Sequence, residues 1–187
     1  MPPVSDRRQQ IRHTATGLFA EHGFHGVSMQ DIGYACGISA PAIYKHFAGK
    51  DAILTEALVA ISDELLATGR YRAGRAPDPM AAIDALIGWH IEFALENRAY
   101  IVAQEREWSN LDESGRAAVR ARQLAYIDVW VDTVRQLRPA WDQPQARAAV
   151  QATFGLLNST PHSARIGKVR MRELLTSMAR AALLREP

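Results

Sequence analysis

Apolar residues recur every three or four positions along almost the whole chain, a spacing typical of amphipathic α-helices. No stretch shows the alternation of β-branched and polar residues that a half-buried strand requires. Proline and glycine interrupt the apolar pattern at intervals, so each run has an approximate beginning and end. The chain is therefore predicted to be all-α.

The interruptions divide the pattern into nine predicted helices. They cover residues 6–22, 28–36, 40–47, 50–70, 79–96, 98–111, 112–138, 146–160 and 168–184. The clearest connector is 71–79, which contains one glycine, two prolines and two arginines. We predict an N-terminal domain of three helices at 1–50 and a larger helical domain at 51–187, with the helix 50–70 linking the two.

Residues 28–54 contain two short helical patterns separated by a glycine. Ser28 and Asp31 have the spacing of a capping box, which would start the first helix. Gly37 follows this helix where a left-handed residue is favoured, and Ser39 can cap the second helix. This is the layout of a DNA-reading helix-turn-helix.

The second of these helices divides into a buried and an outward face. Ile43 and Phe47 lie four residues apart and should face the core. Small residues near the start of a recognition helix allow close approach to the major groove, and Ala40 and Ala42 can meet thymine methyl groups. The predicted DNA-binding residues are Ser28, Gln30, Ser39, Ala40, Pro41, Ala42, Tyr44, Lys45, His46 and Lys50.

The charge of the chain adds little on its own, because the net charge is only +2. In residues 1–50, however, Arg7, Arg8, Arg12, Lys45 and Lys50 outnumber Asp6, Glu21 and Asp31. A modest basic surface in this region is enough to attract phosphates. Lys45 and the hydroxyl of Tyr44 suit phosphate or base-edge contacts, and Lys50 adds a charge at a helix N-terminus.

Several short motifs lie within and beside the predicted helix-turn-helix, between residues 8 and 60. They are Phe19, His22-Gly23-Phe24, Val27-Ser28-Met29, Asp31-Ile32, Cys36-Gly37-Ile38-Ser39, Ile43-Tyr44-Lys45-His46-Phe47 and Lys50. Together they resemble the N-terminal domain of TetR/AcrR-type transcriptional repressors. The resemblance implies an all-helical homodimer that binds an operator and is released by a small ligand. It also implies phosphate contacts from Ser28, Tyr44, His46 and Lys50, and groove contacts from Ser39, Ala40, Ala42 and Lys45.

Gly17 and Gly33 depart from the helix-forming residues that this family usually places inside its first two helices. Each glycine should cost about 1 kcal/mol relative to alanine if it is exposed. We therefore expect this domain to be less rigid than its relatives.

The C-terminal body contains all four tryptophans, and polar residues interrupt its apolar stripes. A small-molecule pocket is mostly apolar with a few polar groups, although each such residue alone is more often part of a core. The predicted pocket is Trp89, His90, Phe93, Gln104, Glu105, Trp108, Gln123, Tyr126, Trp130, Phe154 and Asn158. This lining predicts a hydrophobic effector. Residues 89–107 resemble family members that sense acyl-CoA thioesters in lipid catabolism, and a drug, a phenol or another metabolite stays open.

The last two predicted helices form the predicted dimer surface. One helix contributes Val150, Thr153 and Leu157, and the other contributes Leu174 and Met178. Two helices from each subunit can close a four-helix interface with two-fold symmetry. Such a dimer would place its recognition helices roughly 34 Å apart, which predicts a palindromic double-stranded operator.

Other classes of protein have little support in the sequence. The N-terminus lacks the apolar segment of a signal peptide, and no run approaches the roughly 18 apolar residues of a membrane span. A cytoplasmic protein without a cofactor, a metal or catalytic residues is expected. Cys36 is the single cysteine, so an internal disulfide is excluded. The alternative interpretation is a helical enzyme or adaptor that uses the C-terminal cavity without reading DNA.

Overall fold

The computed structural model describes residues 4–163 and 165–184 of the 187-residue chain. All regular secondary structure in these residues is helical, which confirms the predicted all-α class. Within the same ranges, no helix combines the length and the apolar character that crossing a membrane requires.

The described residues form ten α-helices and one 3₁₀ turn. They are α1 (Val4–His22), α2 (Met29–Ala35), α3 (Ala40–Tyr44), α4 (Lys50–Gly74), α5 (Pro79–Glu96), α6 (Arg98–Glu107), the 3₁₀ turn Trp108–Asn110, α7 (Glu113–Leu137), α8 (Gln143–Leu157), α9 (Thr160–Ser163) and α10 (Lys168–Leu184). Each of the nine predicted helices has a counterpart, and the short α9 is additional.

The end of α4 differs most from the prediction, because the helix continues through part of the predicted connector to Gly74. Arg72 explains this extension. Its guanidinium donates to the Glu92 carboxylate at 2.9 Å and lies 4.8 Å from the centre of the Trp89 ring. These contacts with α5 hold the last turn of α4 in place.

The start of α8 also lies earlier than predicted, at Gln143. The Asp142 carboxylate accepts a hydrogen bond from the Gln145 backbone N–H at 2.8 Å, which is a helix N-cap. Pro144 lies in the first turn, where a missing N–H costs nothing. The cap therefore adds almost one turn before the apolar pattern begins.

The chain up to Ser62 and the segment Ala99–Arg120 form the first compact unit. Its core draws on α1 to α4 and also on the later segment: Ile11, Ala15, Phe19, Val27, Met29, Ile32, Cys36, Ile43, Phe47, Ile53, Leu54, Leu58, Ala103, Leu111 and Val119. The predicted N-terminal domain, residues 1–50, lies inside this unit.

The segment Asp63–Arg98 and the chain from Ala121 onward form the second compact unit. Helix α5 is central to it, since it packs against α8, α9 and α10. Ile91 and Phe93 lie on nearly opposite sides of α5 and are 0% and 8% exposed, so the helix is buried on several sides.

Candidate nucleic-acid interface and effector site

A reciprocal cap sets the start of α2. The Ser28 hydroxyl accepts a hydrogen bond from the Asp31 backbone N–H at 3.1 Å, and the Asp31 carboxylate accepts from the Ser28 backbone N–H at 2.8 Å. The Ser28 hydroxyl also donates to this carboxylate at 2.6 Å. The hydrogen bonds from Ser28 hold the pKa of Asp31 below its ordinary value. The predicted capping box is confirmed, and a phosphate would compete with Asp31 for the hydroxyl proton.

Two glycines determine how α2 meets α3. Gly37 has a φ of +67°, the left-handed conformation expected after a helix end. Gly33 is buried, and a Cβ there would lie 2.8 Å from the Ile38 carbonyl oxygen and 3.2 Å from the Ala40 nitrogen. Gly33 therefore allows close approach of the two helices. The expectation that it merely weakens an exposed helix is corrected.

Helix α3 has only five residues and presents the face predicted to read DNA. Ile43 and Phe47 are 0% and 3% exposed, whereas Tyr44 is 56% exposed. The other predicted reading residues of this segment are exposed or half-buried: Ser39, Ala40, Pro41, Ala42, Lys45 and His46. Gln30, on α2, is exposed as well. The outward surface is small and polar, as a major-groove reader requires.

Arg8 holds the segment that follows the C-terminal end of α3. It donates to the His46 carbonyl and to the Glu56 carboxylate, and its guanidinium lies 4.4 Å from the centre of the Phe47 ring. Arg12 donates to the same carboxylate at 2.7 Å. Burial raises the pKa of Glu56, but the hydrogen bonds from both arginines outweigh it and lower the pKa. Both arginines thus serve the fold, and Glu56 offsets part of the predicted basic surface.

Lys50 holds the loop that precedes α2. Its ammonium donates to the carbonyl oxygens of Phe24 and Val27 at 2.7 and 2.5 Å, and it lies 4.6 Å from the centre of the Phe24 ring. An ammonium has three donors, so at most one is left for a phosphate. Two donors of Lys50 thus serve the fold, and a phosphate contact through the third donor stays a prediction.

Glu107, the last residue of α6, also holds this loop, because its side chain binds a backbone N–H of the loop. The side chain is 6% exposed, and its Oε1 accepts a hydrogen bond from the Phe24 N–H at 3.2 Å. Its Oε2 accepts from the Asn110 amide at 2.8 Å. The contact could not be predicted from the sequence, because no spacing pattern relates residue 107 to residue 24.

A group of the predicted pocket residues comes together in the second unit. We call His90, Phe93, Tyr126, Trp130 and Phe154 the aromatic cluster. The centre of the His90 ring lies 4.5 to 6.0 Å from the centres of the other four rings. The Asn158 oxygen lies 3.1 Å from His90 Nε2 at the edge of the cluster.

Three polar atoms inside the aromatic cluster have no hydrogen-bond partner within the described residues: His90 Nδ1, the Tyr126 hydroxyl and Trp130 Nε1. The side chains are 1%, 2% and 0% exposed. Burial lowers the pKa of His90 to about 4, and the hydrogen bond with Asn158 offsets only part of this change. Burial also raises the pKa of Tyr126, and the neighbouring Trp130 indole offsets only part of this change, because it does not reach hydrogen-bond geometry with the hydroxyl. Near pH 7 the cluster is therefore uncharged and contains unsatisfied polar groups, which are rare in protein interiors.

The other predicted pocket residues lie outside this cluster. Trp89 donates its indole N–H to the Leu65 carbonyl at 3.0 Å, which gives it a structural role. Gln104, Glu105 and Trp108 belong to the first unit, where Trp108 packs against the core. Gln123, in the second unit, is half-buried. Of the predicted pocket residues, the structure brings the aromatic cluster and Asn158 together, and a pocket role for the others stays a prediction.

A surface cavity of about 470 Å³ lies between the 75–78 connector and α7. Three of its polar side chains already have partners. Asp78 accepts from the Ala81 N–H, Thr133 donates to a backbone carbonyl of its own helix, and Gln136 donates to the Asp132 carbonyl. Its other charged lining residues, Arg70 and Asp132, are exposed, so the cavity lacks the buried unpaired polar atoms that the aromatic cluster provides.

The predicted dimer residues divide into two groups. Val150, Thr153 and Leu157 are at most 1% exposed, because they face the core of their own unit. They cannot form a surface for a partner, and this part of the prediction is wrong. Leu174 and Met178 on α10 are 45% and 44% exposed. Small residues of α8 such as Ala152 and Gly155 are exposed on another side of the helix, whereas Ala149 and Leu156 pack against the core.

A capped helix-turn-helix with an exposed reading face, together with a helical unit that contains an uncharged aromatic cluster, defines a ligand-responsive DNA-binding transcriptional regulator. Residues 11–57 match the family model for bacterial regulatory proteins of the tetR family. Residues 76–183 match the model for the tetracyclin repressor-like C-terminal domain. The chain belongs to the TetR family, whose members are regulators and not enzymes.

Known relatives support this assignment. The transcriptional repressor KstR2 of Mycobacterium tuberculosis H37Rv is 27% identical over 134 residues, which is 71% of this chain and 67% of that protein. The KstR2 structure, described as a ketosteroid transcriptional regulator, has a TM-score of 0.79 at 20% identity and covers 98% of both chains.

Two further structures share the fold. The TetR-family regulator PfmR of Thermus thermophilus has a TM-score of 0.82 at 23% identity, over 100% of this chain and 99% of its own. AibR, solved with isovaleryl coenzyme A and operator DNA, has a TM-score of 0.71 at 19% identity, over 92% and 97%.

Proposed function

We propose that this protein is a cytoplasmic repressor whose dimer binds a palindromic operator and leaves it when a hydrophobic small molecule binds the C-terminal unit. The observation that carries the DNA-binding half is the outward face of α3, where small and polar side chains lie opposite the buried Ile43 and Phe47. A repressive sign is supported by the relative KstR2, which is a transcriptional repressor.

The residues proposed to contact DNA have different roles. Ala40 and Ala42 approach thymine methyl groups at the start of α3, and Lys45 reaches a base edge or phosphate. Lys45 is exposed, and no hydrogen bond or ion pair within the described residues occupies it. The Tyr44 hydroxyl and the third donor of Lys50 bind phosphates, which position the protein without reading sequence.

The proposed dimer surface combines α10 and α8. Leu174 and Met178 form an exposed apolar pair on α10, and Ala152 and Gly155 give α8 an exposed face without bulky side chains. Small residues allow two helices to pack closely, and pairing the same faces of two copies gives two-fold symmetry. Such symmetry would present two copies of α3 to two half-sites of one operator.

The proposed effector is an apolar molecule that enters the aromatic cluster. AibR was solved with isovaleryl coenzyme A, and KstR2 is described as a ketosteroid regulator, so both relatives point to effectors with a hydrocarbon skeleton. A ligand that prefers the conformation with low DNA affinity would shift the population away from the operator. The acyl group of an acyl-CoA, or another lipid metabolite, fits this description.

Binding of the dimer to DNA from its own promoter region, measured by fluorescence anisotropy at several salt concentrations, tests the proposal. Lys45→Ala is expected to weaken specific binding about tenfold, since a good base contact contributes roughly 1–3 kcal/mol. Lys168→Ala, at the start of α10, is the matched control and should bind as the unaltered protein does. Equal affinity for promoter and unrelated DNA at every salt concentration would refute the proposed regulator.

A further inference from the structure

The three unpaired polar atoms of the aromatic cluster define a recognition chemistry. His90, Tyr126 and Trp130 approach one another with ring centres 5.8 to 6.1 Å apart, and none of the three side chains is more than 2% exposed. We propose that these three residues determine effector specificity by binding an uncharged oxygen, a hydroxyl or a carbonyl, on an otherwise apolar molecule. This inference rests on the effector response proposed above.

The hydrogen-bonding roles of the three atoms are complementary. The Trp130 N–H can only donate, whereas the Tyr126 hydroxyl donates and accepts. Because the Asn158 oxygen faces Nε2 of His90 at 3.1 Å, Nε2 carries the ring proton and Nδ1 is an acceptor. A carbonyl oxygen can accept from Trp130 and Tyr126, and a hydroxyl can in addition donate to His90. One oxygen function of the effector therefore satisfies groups that the chain leaves unpaired.

The absence of a positive charge in the cluster excludes a carboxylate as the bound group. Arg72, on α4, donates to Glu92 at 2.9 Å and lies over Trp89, so its charge is already paired. His90 is neutral near pH 7, since burial lowers its pKa to about 4. A carboxylate buried without a cation is strongly disfavoured, whereas hydrogen bonds from the cluster can offset the smaller cost of removing an uncharged oxygen from water.

The position of Tyr126 is fixed by close packing on α4. A Cβ on Gly69 would lie 2.4 Å from the Tyr126 ring, so the ring rests directly on the glycine backbone. Phe154 and Asn158, by contrast, are only half-buried. The α8 side is therefore the more exposed edge of the cluster, whereas the three unpaired polar atoms belong to its fully buried side chains. This arrangement would orient a ligand with its oxygen inward and its apolar part toward α8.

The indole signals of the ¹⁵N-labelled full-length protein test the proposal directly. The probes are 2-naphthol, 2-acetonaphthone and 2-naphthoate, which share one apolar ring system and differ in the oxygen group. We expect either neutral probe to move the Trp130 indole proton downfield and to bind at least about tenfold more tightly than 2-naphthoate. Trp130→Phe assigns the signal. The Trp89 indole, already bonded to Leu65, is the internal control and should move little.

Tyr126→Phe separates recognition from folding. This change removes an unpaired hydroxyl, so the midpoint of thermal unfolding without a probe should stay the same or rise. The affinity for 2-naphthol should fall about tenfold, because one hydrogen bond is lost. Tyr71→Phe, at a tyrosine that is 64% exposed in the same unit, is the matched control and should alter neither quantity.

The outcomes distinguish this inference from the proposed function. A lower unfolding midpoint for Tyr126→Phe with unchanged probe affinity would show that internal water pairs the hydroxyl, and would overturn the inference. A silent Trp130 signal with both neutral probes, or equally tight binding of 2-naphthoate, would overturn it as well. Promoter binding by the same protein without a probe is measured in parallel. Loss of that binding would refute the regulator, whereas intact binding would confine the failure to the oxygen site.

Discussion

His90 is buried in its neutral form, and this single residue couples the stability of the second unit to pH. Its ring is 1% exposed and lies among four aromatic rings, while its one hydrogen-bond partner is the uncharged Asn158. Burial lowers the pKa of His90 from 6.5 to about 4. Between these two pKa values the imidazole is therefore protonated in the unfolded chain and neutral in the folded chain.

The first prediction concerns acid stability. Above pH 6.5 the imidazole is neutral in both states, so it imposes no penalty. As the pH falls from 6.5 to 4, the unfolded state takes up the proton first, and the free energy of unfolding should decrease by up to about 3 kcal/mol. Urea unfolding at several pH values measures this slope.

His90→Gln is the control for the acid-stability prediction, because glutamine does not titrate. The variant should lose the slope between pH 6.5 and 4. The stabilising contribution of the Glu56 carboxylate is lost only below that residue's ordinary pKa of 4.5, since its folded-state pKa is lower still. A variant that keeps the full slope above pH 5 would contradict the assignment to His90.

The two glycines inside the N-terminal helices provide the second prediction. A Cβ on Gly17 would meet no atom within 4 Å, so Gly17→Ala should raise the free energy of unfolding by about 1 kcal/mol. A Cβ on Gly33 would press on backbone atoms of the turn, so Gly33→Ala should lower it by about 1–3 kcal/mol. Thermal and urea unfolding of the two variants measure the difference. Stabilisation by both changes would contradict the close approach at Gly33.

Sequence reasoning at this scale succeeds where a pattern decides the outcome. The spacing of Ile43 and Phe47 predicts their burial correctly, because helical period alone selects the inward face. It fails for Lys50, since the chain pattern does not reveal that two loop carbonyls lie within reach of the ammonium. The pairing of Arg8 with Glu56 is missed for the same reason, because sequence patterns relate only residues that are close together along the chain.

At the scale of elements, the loop of residues 23–27 is held by two side chains of opposite charge. Lys50, at the start of α4, binds two of its carbonyls, and Glu107, at the end of α6, binds the Phe24 N–H. The loop leads directly into the Ser28 cap of α2. The orientation of the helix-turn-helix thus depends on the first residue of α4 and the last residue of α6, which lie outside α2 and α3.

The third prediction is that Glu107→Ala weakens DNA binding. The change leaves the Phe24 N–H and the Asn110 amide without their acceptor, which should cost about 1–3 kcal/mol of stability. A loosened loop should also lower affinity for the promoter DNA. Unfolding midpoints and fluorescence anisotropy below the midpoint measure the two effects separately.

Glu107→Gln is the matched variant, because its amide oxygen can still accept the hydrogen bond from Phe24. It should recover most of the DNA affinity that alanine loses. If alanine and glutamine impair DNA binding equally, the role assigned to this hydrogen bond fails.

Element boundaries illustrate what the apolar pattern omits. The pattern ends α4 near residue 70, because a glycine and two prolines follow. The helix continues to Gly74, since Arg72 gains contacts with Glu92 and Trp89 that are visible only once α5 packs beside it. Local propensity is a weak guide wherever tertiary contacts of this kind exist.

At the scale of the whole molecule, the accessible faces of α8 and α10 carry the proposed dimer surface. The predicted side of α8 was wrong, because the most regular apolar stripe of an isolated helix belongs to its own core. Val150 and Leu157 follow that stripe and are fully buried. Smaller residues beside the stripe are left for a partner, and composition gives them no distinctive signal.

The fourth prediction is that Leu174→Glu with Met178→Glu produces a monomer. Burying two carboxylates across a two-fold axis places like charges close together, so the dimer should dissociate and DNA affinity should fall at least about tenfold. Light scattering and anisotropy measure the two results.

Val169→Glu is the control for the dimer prediction. Val169 is 71% exposed on the same helix, and five residues correspond to about 140° of rotation away from Leu174. This variant should remain dimeric. A double variant that stays dimeric and folded would refute the proposed surface.

The contribution of Ala99–Arg120 to the first unit has a consequence for engineering. Ala103, Leu111 and Val119 complete the core beneath the helix-turn-helix, although they follow α5 in the chain. A hybrid regulator made by grafting residues 1–62 onto the body of a relative would leave these side chains behind and open a hole in the transplanted core. A functional graft must carry both segments. Retargeting this protein to another operator is therefore better attempted by rewriting the outward residues of α3 within the intact chain.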